Sequence, residues 1–192
     1  MNIAIIPARG GSKRIPGKNI KNFFGKPVIA HSIQAALASG VFDRVVVSTD
    51  SDEIASVAQE YGAEVPFLRP ESLSNDYAAT APVIVHAMEW LLSQGIDFKY
   101  ACCLYAAAPF VQSQFLMQGL DIMGLHNCAS CYSVASFPFP IMRGLKINSA
   151  ECLEMFWPEY EMVRSQELPE AYHDAGQFYW VEREKFMLEP RL

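Results

Sequence analysis

The sequence predicts an α/β protein in which helices cover both faces of a mainly parallel sheet. Short apolar runs rich in β-branched residues alternate with longer segments whose apolar residues recur at helical spacing. Such alternation implies crossover connections between parallel strands, and a parallel sheet is usually buried on both faces. We therefore expect a three-layer architecture.

The elements follow in order from these patterns. Asn2–Pro7 predicts a strand and Val28–Ser39 a helix that ends at Gly40, with a glycine-rich loop between them. Val45–Ser48 and Asp52–Tyr61 repeat the unit. The later runs predict strands over Glu64–Leu68, Tyr100–Tyr105 and Ala129–Val134, and helices over Pro82–Leu92 and Gln114–Gly124.

The segment at about 137–172 departs from this alternation. It opens with FPFP, which interrupts any helix, and Arg143–Met155 predicts a hairpin that turns at Asn148-Ser149. The remainder mixes aromatic residues, acids and prolines without a period. Because large exposed apolar patches normally mark interfaces, we expect an arm that joins two copies of one domain spanning 1–192.

The overall composition excludes a disordered chain. Fifteen Lys and Arg stand against 21 Asp and Glu, and 51% of the residues are hydrophobic. Apolar stretches are interrupted well short of the roughly 20 residues that a membrane span needs. Proline and basic residues follow the first six positions, too early for a signal peptide. We therefore expect a cytoplasmic protein with no membrane partner.

The five cysteines do not suggest a disulfide scaffold, because their number is odd and four lie in apolar segments. Cys128-x-x-Cys131 has the spacing of half a zinc site, but no second ligand pair of similar spacing follows. We therefore interpret these cysteines as core thiols.

Basic residues are concentrated at the start of the chain. Residues 1–42 carry six bases and no acid, whereas the other 150 residues carry nine bases and 21 acids. A nucleic-acid binder is usually basic over a whole face, so we expect no nucleic-acid partner. A compact polyanion such as a nucleoside triphosphate fits better. The six bases are Arg9, Lys13, Arg14, Lys18, Lys21 and Lys26.

The loop IIPARGGSKRIPGKN over Ile5–Asn19 differs from both common phosphate loops. It contains no G-x-G-x-x-G, and five residues separate Gly11 from Gly17, where a P-loop has four. Adjacent glycines at the end of a strand nevertheless let backbone N–H groups approach phosphate oxygens closely. The loop therefore predicts a phosphate site.

Four ordered segments carry a resemblance to a known family. Ala8–Asn19 matches the signature ARGGSKxIPxKN. The likeness continues through VVVSTDSDEIA at 45–55, RPESLSND at 69–76 followed by Thr80, and HDAGQFYW at 173–180. The chain thus resembles the cytidylyltransferases that activate nonulosonic and related acidic sugars.

This resemblance implies a fold of the nucleotide-diphospho-sugar transferase type with a small β-hairpin dimerisation arm. It also implies CMP transfer from CTP to the anomeric hydroxyl of a sugar acid, release of pyrophosphate, Mg²⁺ as the cofactor and a homodimer. YAAAPFV at 105–111 and the phrase DAGQFYW look more like the branch that acts on pseudaminic acid. A CMP-sialic acid synthetase, or another CMP-sugar-acid synthetase, is the alternative.

One part of the family pattern is missing, since the chain ends at Leu192 without the DID-type motif that supplies metal-binding aspartates in the family. A truncated sequence would explain this, and so would a nucleotide-binding module that is catalytically incomplete. The metal ligands are therefore unknown at this stage.

The resemblance implies three groups of site residues. Arg9 and Lys18 are the expected catalytic residues, which hold the triphosphate and stabilise the leaving pyrophosphate. The expected nucleotide-binding residues are Ala8, Gly10, Gly11, Ser12, Lys13, Asn19, Arg69, Asp76 and Thr80. The expected sugar-binding residues are Tyr105, Asp174, Gln177 and Tyr179.

Several of these residues have structural alternatives. Arg69 suits a structural salt bridge, and Thr80 and Asp76 suit helix caps. We expect Asp50 to cap the helix that follows it. Along HDAGQFYW, the pair Gln177 and Tyr179 alternates with Phe178 and Trp180, so one pair should face the core and the other the cleft.

Overall fold

Strands and helices alternate along the first two thirds of the computed structural model, which describes residues 1–192. This alternation confirms the predicted α/β class. The elements are β1 (Asn2–Pro7), β2 (Asn22–Phe23), β3 (Lys26–Pro27), α1 (Val28–Ser39), β4 (Arg44–Ser48), α2 (Asp52–Glu60), α3 (Thr80–Ser93), β5 (Tyr100–Leu104), α4 (Ser113–His126), β6 (Ser130–Ser136), β7 (Leu145–Ile147), β8 (Leu153–Met155), β9 (Tyr172–Glu182) and α5 (Arg183–Leu188).

The chain divides into two compact units. Unit 1 comprises residues 1–133 and 176–192, and unit 2 comprises residues 134–175. No helix in the structure is both long enough and apolar enough to span a bilayer.

The central sheet has five strands in the order β4-β1-β5-β9-β6. β1 runs parallel to β4 and to β5, whereas β9 runs antiparallel to β5. The residues from Ile3 to Ile6 in β1 are completely buried. A continuous apolar run of this kind is expected where helices cover both faces of a parallel sheet. The carboxyl ends of β1 and β4 consequently lie side by side at one edge.

Two hydrophobic layers lie on the two faces of the sheet. Successive residues of β5 separate into these layers, with Cys102 in the first and Cys103 in the second. Burial raises the pKa of both thiols well above the ordinary cysteine value. The first layer includes Ile29 and Ile33 of α1, Leu116 of α4 and Trp180 of β9, and the second includes Ile84, Met88 and Leu91 of α3 and Phe186 of α5.

The interpretation of the cysteines as core thiols holds for Cys102 and Cys103, which are fully buried. Cys128 and Cys131 are half-buried and pack against the first layer. The Cys128 thiol donates to the Met123 sulfur at 3.5 Å. These two side chains thus border the core.

The predicted strand over Glu64–Leu68 is wrong. The segment forms only two isolated bridges to the neighbouring strand, one at each of its ends. Pro66 lies between the bridges, and because proline has no N–H it interrupts a ladder of hydrogen bonds. The short helix α5 was not predicted.

The predicted hairpin is present in unit 2, where β7 and β8 pair antiparallel from Leu145↔Met155 to Ile147↔Leu153. Asn148 organises the turn, since its Oδ1 accepts hydrogen bonds from the backbone N–H groups of Ala150 and Cys152 at 3.0 Å each. Unit 2 contains the whole segment 137–172. Its role as an arm between two copies stays a prediction.

Candidate active site

The glycine-rich loop leaves the sheet at the carboxyl end of β1 and is fixed there by β4 and the residues after it. The N–H of Ala8 donates to the carbonyl of Ser48 at 2.9 Å, and the N–H of Gly10 donates to Asp50 Oδ1 at 2.9 Å. A Cβ atom at Gly10 would lie 3.1 Å from Ser51 Cβ, closer than most real Cβ contacts. Glycine therefore lets the loop pass close to Ser51.

Asn19 joins the end of the loop to its beginning. Its side chain is buried, and Nδ2 donates to the carbonyl of Arg9 at 2.9 Å. Gly17 adopts φ 61°, a left-handed conformation that favours glycine, just before the single helical turn at Lys18–Ile20. This hydrogen bond and this turn set the positions of Arg9 and Lys18.

A cavity of about 790 Å³ lies against this loop, entirely within unit 1. Its lining contains five bases and a single acid, Asp76. A cleft lined by one sign of charge attracts ligands of the opposite sign, and the size suits a small molecule. The cavity is therefore suited to a compact polyanion. The five bases are Arg9, Lys13, Arg14, Lys18 and Arg69.

A second depression, of about 660 Å³, lies at the other edge of the sheet. It is lined by Asn2 and Tyr100, at the amino ends of β1 and β5, and by residues of α4. Asp121 is its only charged lining residue. Ligands of open parallel sheets bind outside the carboxyl ends of the strands, so the basic cavity is the better candidate for the active site.

Arg69 presents a buried guanidinium to the basic cavity, with only 5% of the residue exposed. Its Nε donates to Ser74 Oγ at 3.2 Å, and Nη2 lies 3.7 Å from Asp50 Oδ1. Burial lowers the pKa of Arg69, the nearby Asp50 carboxylate opposes this shift, and Arg9 adds to it. Arginine nevertheless stays charged in proteins, so this group is a preformed anion contact.

Asp76 pairs with two bases of the loop. Its Oδ1 lies 3.0 Å from Arg9 Nη1, and its Oδ2 contacts Lys13 Nζ. The hydrogen bond from Lys13 is the largest cause of a lowered Asp76 pKa, and the charges of Lys13 and Arg9 add to it. The helix-cap alternative for Asp76 is wrong, because α3 begins at Thr80 with Ala79 as its N-cap.

Thr80 and Tyr105 lie together on the wall of the cavity. The Thr80 hydroxyl is 3.5 Å from the Tyr105 hydroxyl. The cap alternative for Thr80 is also wrong, since Thr80 is the first residue of α3 and its N-cap, Ala79, makes no side-chain hydrogen bond. Both hydroxyls are thus available at the cavity surface.

The residues of β9 predicted to bind the sugar lie outside the cavity lining. Tyr179 is buried in the second layer, with its ring 5.4 Å from that of Tyr105. The carbonyl of Gln177 accepts a hydrogen bond from the Tyr105 N–H at 2.9 Å. Asp174 belongs to unit 2. Of the predicted sugar-binding residues, only Tyr105 therefore lines the cavity.

The expected division of β9 into a core pair and a cleft pair is not observed. Phe178 and Trp180 are buried in the first layer, and the Trp180 indole donates to the carbonyl of Leu116 at 3.0 Å. Tyr179 is buried on the opposite face. Both faces of β9 are covered here because a hydrophobic layer lies on each face of the sheet.

Most of the predicted nucleotide-binding residues thus lie together in the lining of the cavity, and the other predicted residues lie outside it. Those that line the cavity are Arg9, Ser12, Lys13, Lys18, Asn19, Arg69, Asp76, Thr80 and Tyr105. Those outside the lining are Ala8, Gly10, Gly11, Asp174, Gln177 and Tyr179.

The role expected for Asp50 is wrong, and its actual position is part of the site. Ser51 caps α2, its Oγ accepting from the N–H of Ile54 at 3.4 Å. Asp50 instead links Gly10 of the loop to Arg69, as described above. Its place at the carboxyl end of a strand, beside the loop after β1, was the sequence signal for this role.

Metal ligands do not cluster in the structure. No group of three or more His, Cys, Asp or Glu side chains could hold an ion. Asp50 and Asp76, the carboxylates at the site, both face cationic side chains. This donor set does not form a dedicated metal site, so we assign no metal ligands and derive no catalytic step through a metal.

Comparison with known proteins agrees with this geometry. The model of the cytidylyltransferase family matches residues 3–184. The chain belongs to the cytidylyltransferase family. It is therefore an enzyme that transfers a cytidylyl group from CTP, as the motifs from the ARGGSK loop to HDAGQFYW imply.

Two curated relatives and one solved structure illustrate the relationship. The pseudaminic acid cytidylyltransferase of Campylobacter jejuni is 45% identical over 98% of this chain and 84% of the relative. The N-acylneuraminate cytidylyltransferase of Escherichia coli is 32% identical over 96% of this chain and 43% of the relative. A CMP:2-keto-3-deoxy-manno-octonic acid synthetase solved with CTP shares the fold, with a TM-score of 0.72 at 20% identity, over 100% of this chain and 79% of that one. The fold is thus the nucleotide-diphospho-sugar transferase type.

Proposed function

We propose that this cytidylyltransferase transfers CMP from CTP to the anomeric hydroxyl of pseudaminic acid, a nonulosonic acid. The hydroxyl oxygen forms a bond to the α-phosphorus, the bond to the β-phosphate oxygen breaks, and pyrophosphate leaves. The hydroxyl proton passes to solvent. The observation that supports nucleotide binding most strongly is the cavity with five bases at the carboxyl edge of the sheet. The sugar is inferred from the relatives that act on pseudaminic acid.

The residues of the cavity suit the parts of such a substrate. We assign Arg9 and Lys18 to the triphosphate and to the charge that develops on the leaving pyrophosphate. Lys13 and Arg69 add positive charge along the same wall. The remaining proposed nucleotide contacts are Ala8, Gly10, Gly11, Ser12, Asn19 and Thr80, and Asp76 is proposed to affect nucleotide binding through its pairing with Arg9 and Lys13. For Gly10, the N–H already donates to Asp50, so its contribution is to let the loop approach.

Sugar recognition is assigned to the region of Tyr105. Its hydroxyl lies at the cavity surface beside Thr80, and its ring packs against Tyr179. A sugar acid with hydroxyl and acylamino groups needs hydrogen-bonding groups next to an apolar wall, and a tyrosine supplies both. The proposed sugar residues still include Asp174, Gln177 and Tyr179. Gln177 and Tyr179 would act indirectly, because both contact Tyr105.

Mg²⁺ is proposed as the cofactor, arriving with CTP. Magnesium commonly binds through one or two carboxylates together with substrate phosphates and keeps several waters, which agrees with a site that has no carboxylate cluster. When bound, the ion would neutralise charge on the phosphates.

We also propose that the protein is a cytoplasmic homodimer with unit 2 as the dimerisation arm of one nucleotidyltransferase domain. Leu145, Ile147 and Leu153 of the hairpin expose more than half of their surfaces in the single chain. Exposed apolar patches normally mark interfaces. Light scattering at micromolar concentration should give twice the mass of 21.4 kDa, and a monomer would refute the arm.

The decisive test is a substrate panel with Mg²⁺, in which pyrophosphate release is measured for CTP, UTP, ATP and GTP against pseudaminic, sialic and legionaminic acids. We expect CTP with pseudaminic acid to give the fastest release. Comparable rates with sialic acid would overturn the assigned sugar. Binding of CTP without release from any sugar would indicate a catalytically incomplete module.

A further inference from the structure

Asp76 is unusual among the residues of the cavity because it is the only acid in the lining. Its carboxylate pairs with Arg9 at 3.0 Å and contacts Lys13, so it engages two of the five bases. The same guanidinium nitrogen of Arg9 donates to the carbonyl of Asn75 at 2.9 Å. These contacts hold the segment at Asn75 and Asp76 against the glycine-rich loop.

The chemistry of these contacts is that of a bound phosphate. A carboxylate offers anionic oxygens to guanidinium and ammonium groups, which are also the groups that bind phosphate oxygens. An aspartate is already ionised at neutral pH, and the hydrogen bond from Lys13 lowers the pKa of Asp76 further. Its side chain is 33% exposed and that of Lys13 is 82% exposed, so an incoming anion can replace it without opening the core.

We propose that Asp76 is an internal counter-anion that holds the place of a substrate phosphate in the free enzyme and is displaced when the triphosphate binds. The inference rests on the proposed function, because it takes the nucleotide phosphates as the competing anion. In the free enzyme, Asp76 offsets the repulsion between Arg9 and Lys13. After the reaction, its return to these bases assists the release of pyrophosphate.

The competing interpretation is that Asp76 binds the metal that accompanies CTP. The two roles predict opposite results when the charge is removed. A counter-anion competes with the ligand, so its loss tightens polyphosphate binding even without metal. A metal ligand supports the complex, so its loss weakens binding in Mg²⁺.

The experiment is calorimetric titration with inorganic tripolyphosphate, first without metal and then with Mg²⁺, comparing the wild type with Asp76→Asn and Glu71→Gln. Glu71 is an exposed acid of the same segment outside the cavity lining, so it controls for net charge. We expect Asp76→Asn to bind about three- to tenfold more tightly, since partly exposed ion pairs each contribute a factor of up to about five. Glu71→Gln should change the affinity by less than about twofold.

Two further measurements complete the test. The higher tripolyphosphate affinity of Asp76→Asn relative to the wild type should become smaller between 50 and 500 mM salt, because the Debye length falls. In the transfer reaction, pyrophosphate should inhibit Asp76→Asn more strongly than the wild type by a similar factor.

Unchanged or weaker tripolyphosphate binding by Asp76→Asn would overturn the inference. Loss of folding in both Asp76→Asn and Asp76→Ser would also overturn it, because a displaceable contact is not required for folding. The proposed function fails separately, if the wild type neither binds CTP nor releases pyrophosphate from it. If the wild type is active but Asp76→Asn binds tripolyphosphate with the wild-type affinity, only the counter-anion role of Asp76 is refuted.

Discussion

Lys18 and Lys21 are two exposed lysines of one short segment, and only Lys18 lines the basic cavity. We predict that Lys18→Ala lowers kcat at least about a hundredfold, whereas Lys21→Ala changes it by less than about twofold. A group that meets charge only as it develops contributes about 2.7–4 kcal/mol, or roughly 10²–10³ in kcat. Exposed ion pairs contribute only about 0–1 kcal/mol to ground-state binding, so KM for CTP should change less than about fivefold.

The assay is the initial rate of pyrophosphate release with CTP, pseudaminic acid and Mg²⁺, with circular dichroism to verify that both variants fold. Alanine keeps the backbone contacts of the segment, in which the N–H of Lys18 donates to the Ile15 carbonyl at 3.1 Å and that of Lys21 to the Lys18 carbonyl at 3.4 Å. Wild-type turnover in Lys18→Ala, or equal losses in the two variants, would refute the role assigned to Lys18.

Two further predictions concern packing and the support of the loop. Gly119→Ala should destabilise the protein by about 1–2 kcal/mol in urea unfolding, because its Cβ would lie 2.7 Å from Trp180 Cδ1. Gly124→Ala is the control on the same helix. Its Cβ would meet nothing within 4 Å, so it should stabilise the protein by up to about 1 kcal/mol. Equal effects would contradict the close approach. Asp50→Asn should lower the free energy of unfolding by about 1–2 kcal/mol, because it removes the carboxylate that faces the buried Arg69. An unchanged midpoint of urea unfolding would argue against that contact.

Local sequence patterns predicted the elements whose formation depends mainly on residues close together in the sequence. The run Asn2–Pro7 is apolar throughout and became a strand buried on both faces. Four of the six bases that follow it line the cavity because a loop must leave the strand at its carboxyl end. Glu64–Leu68 failed as a strand because Pro66 outweighs the apolar pattern around it.

The remaining errors involve partners that are distant in sequence. Asp50 and Asp76 look like helix caps when only their neighbours are considered, and each instead contacts a base of another segment. The separation between Arg9 and Asp76 is 67 residues, so no local pattern reveals this pair. Tyr179 was expected to separate from Phe178 by burial, but a hydrophobic layer covers each face of β9.

The adjacent cysteines of β5 can report separately on the opening of the two hydrophobic layers, because their thiols can be labelled chemically. Only the thiolate reacts with alkylating reagents, and burial keeps both Cys102 and Cys103 protonated. Because the two side chains lie in different layers, each becomes reactive only when its own layer opens. Cys152 is exposed and serves as the internal standard for the reagent. The ratio of the two labelling rates, read by fragmentation mass spectrometry, therefore tells whether the helices on the two faces detach together or one face at a time.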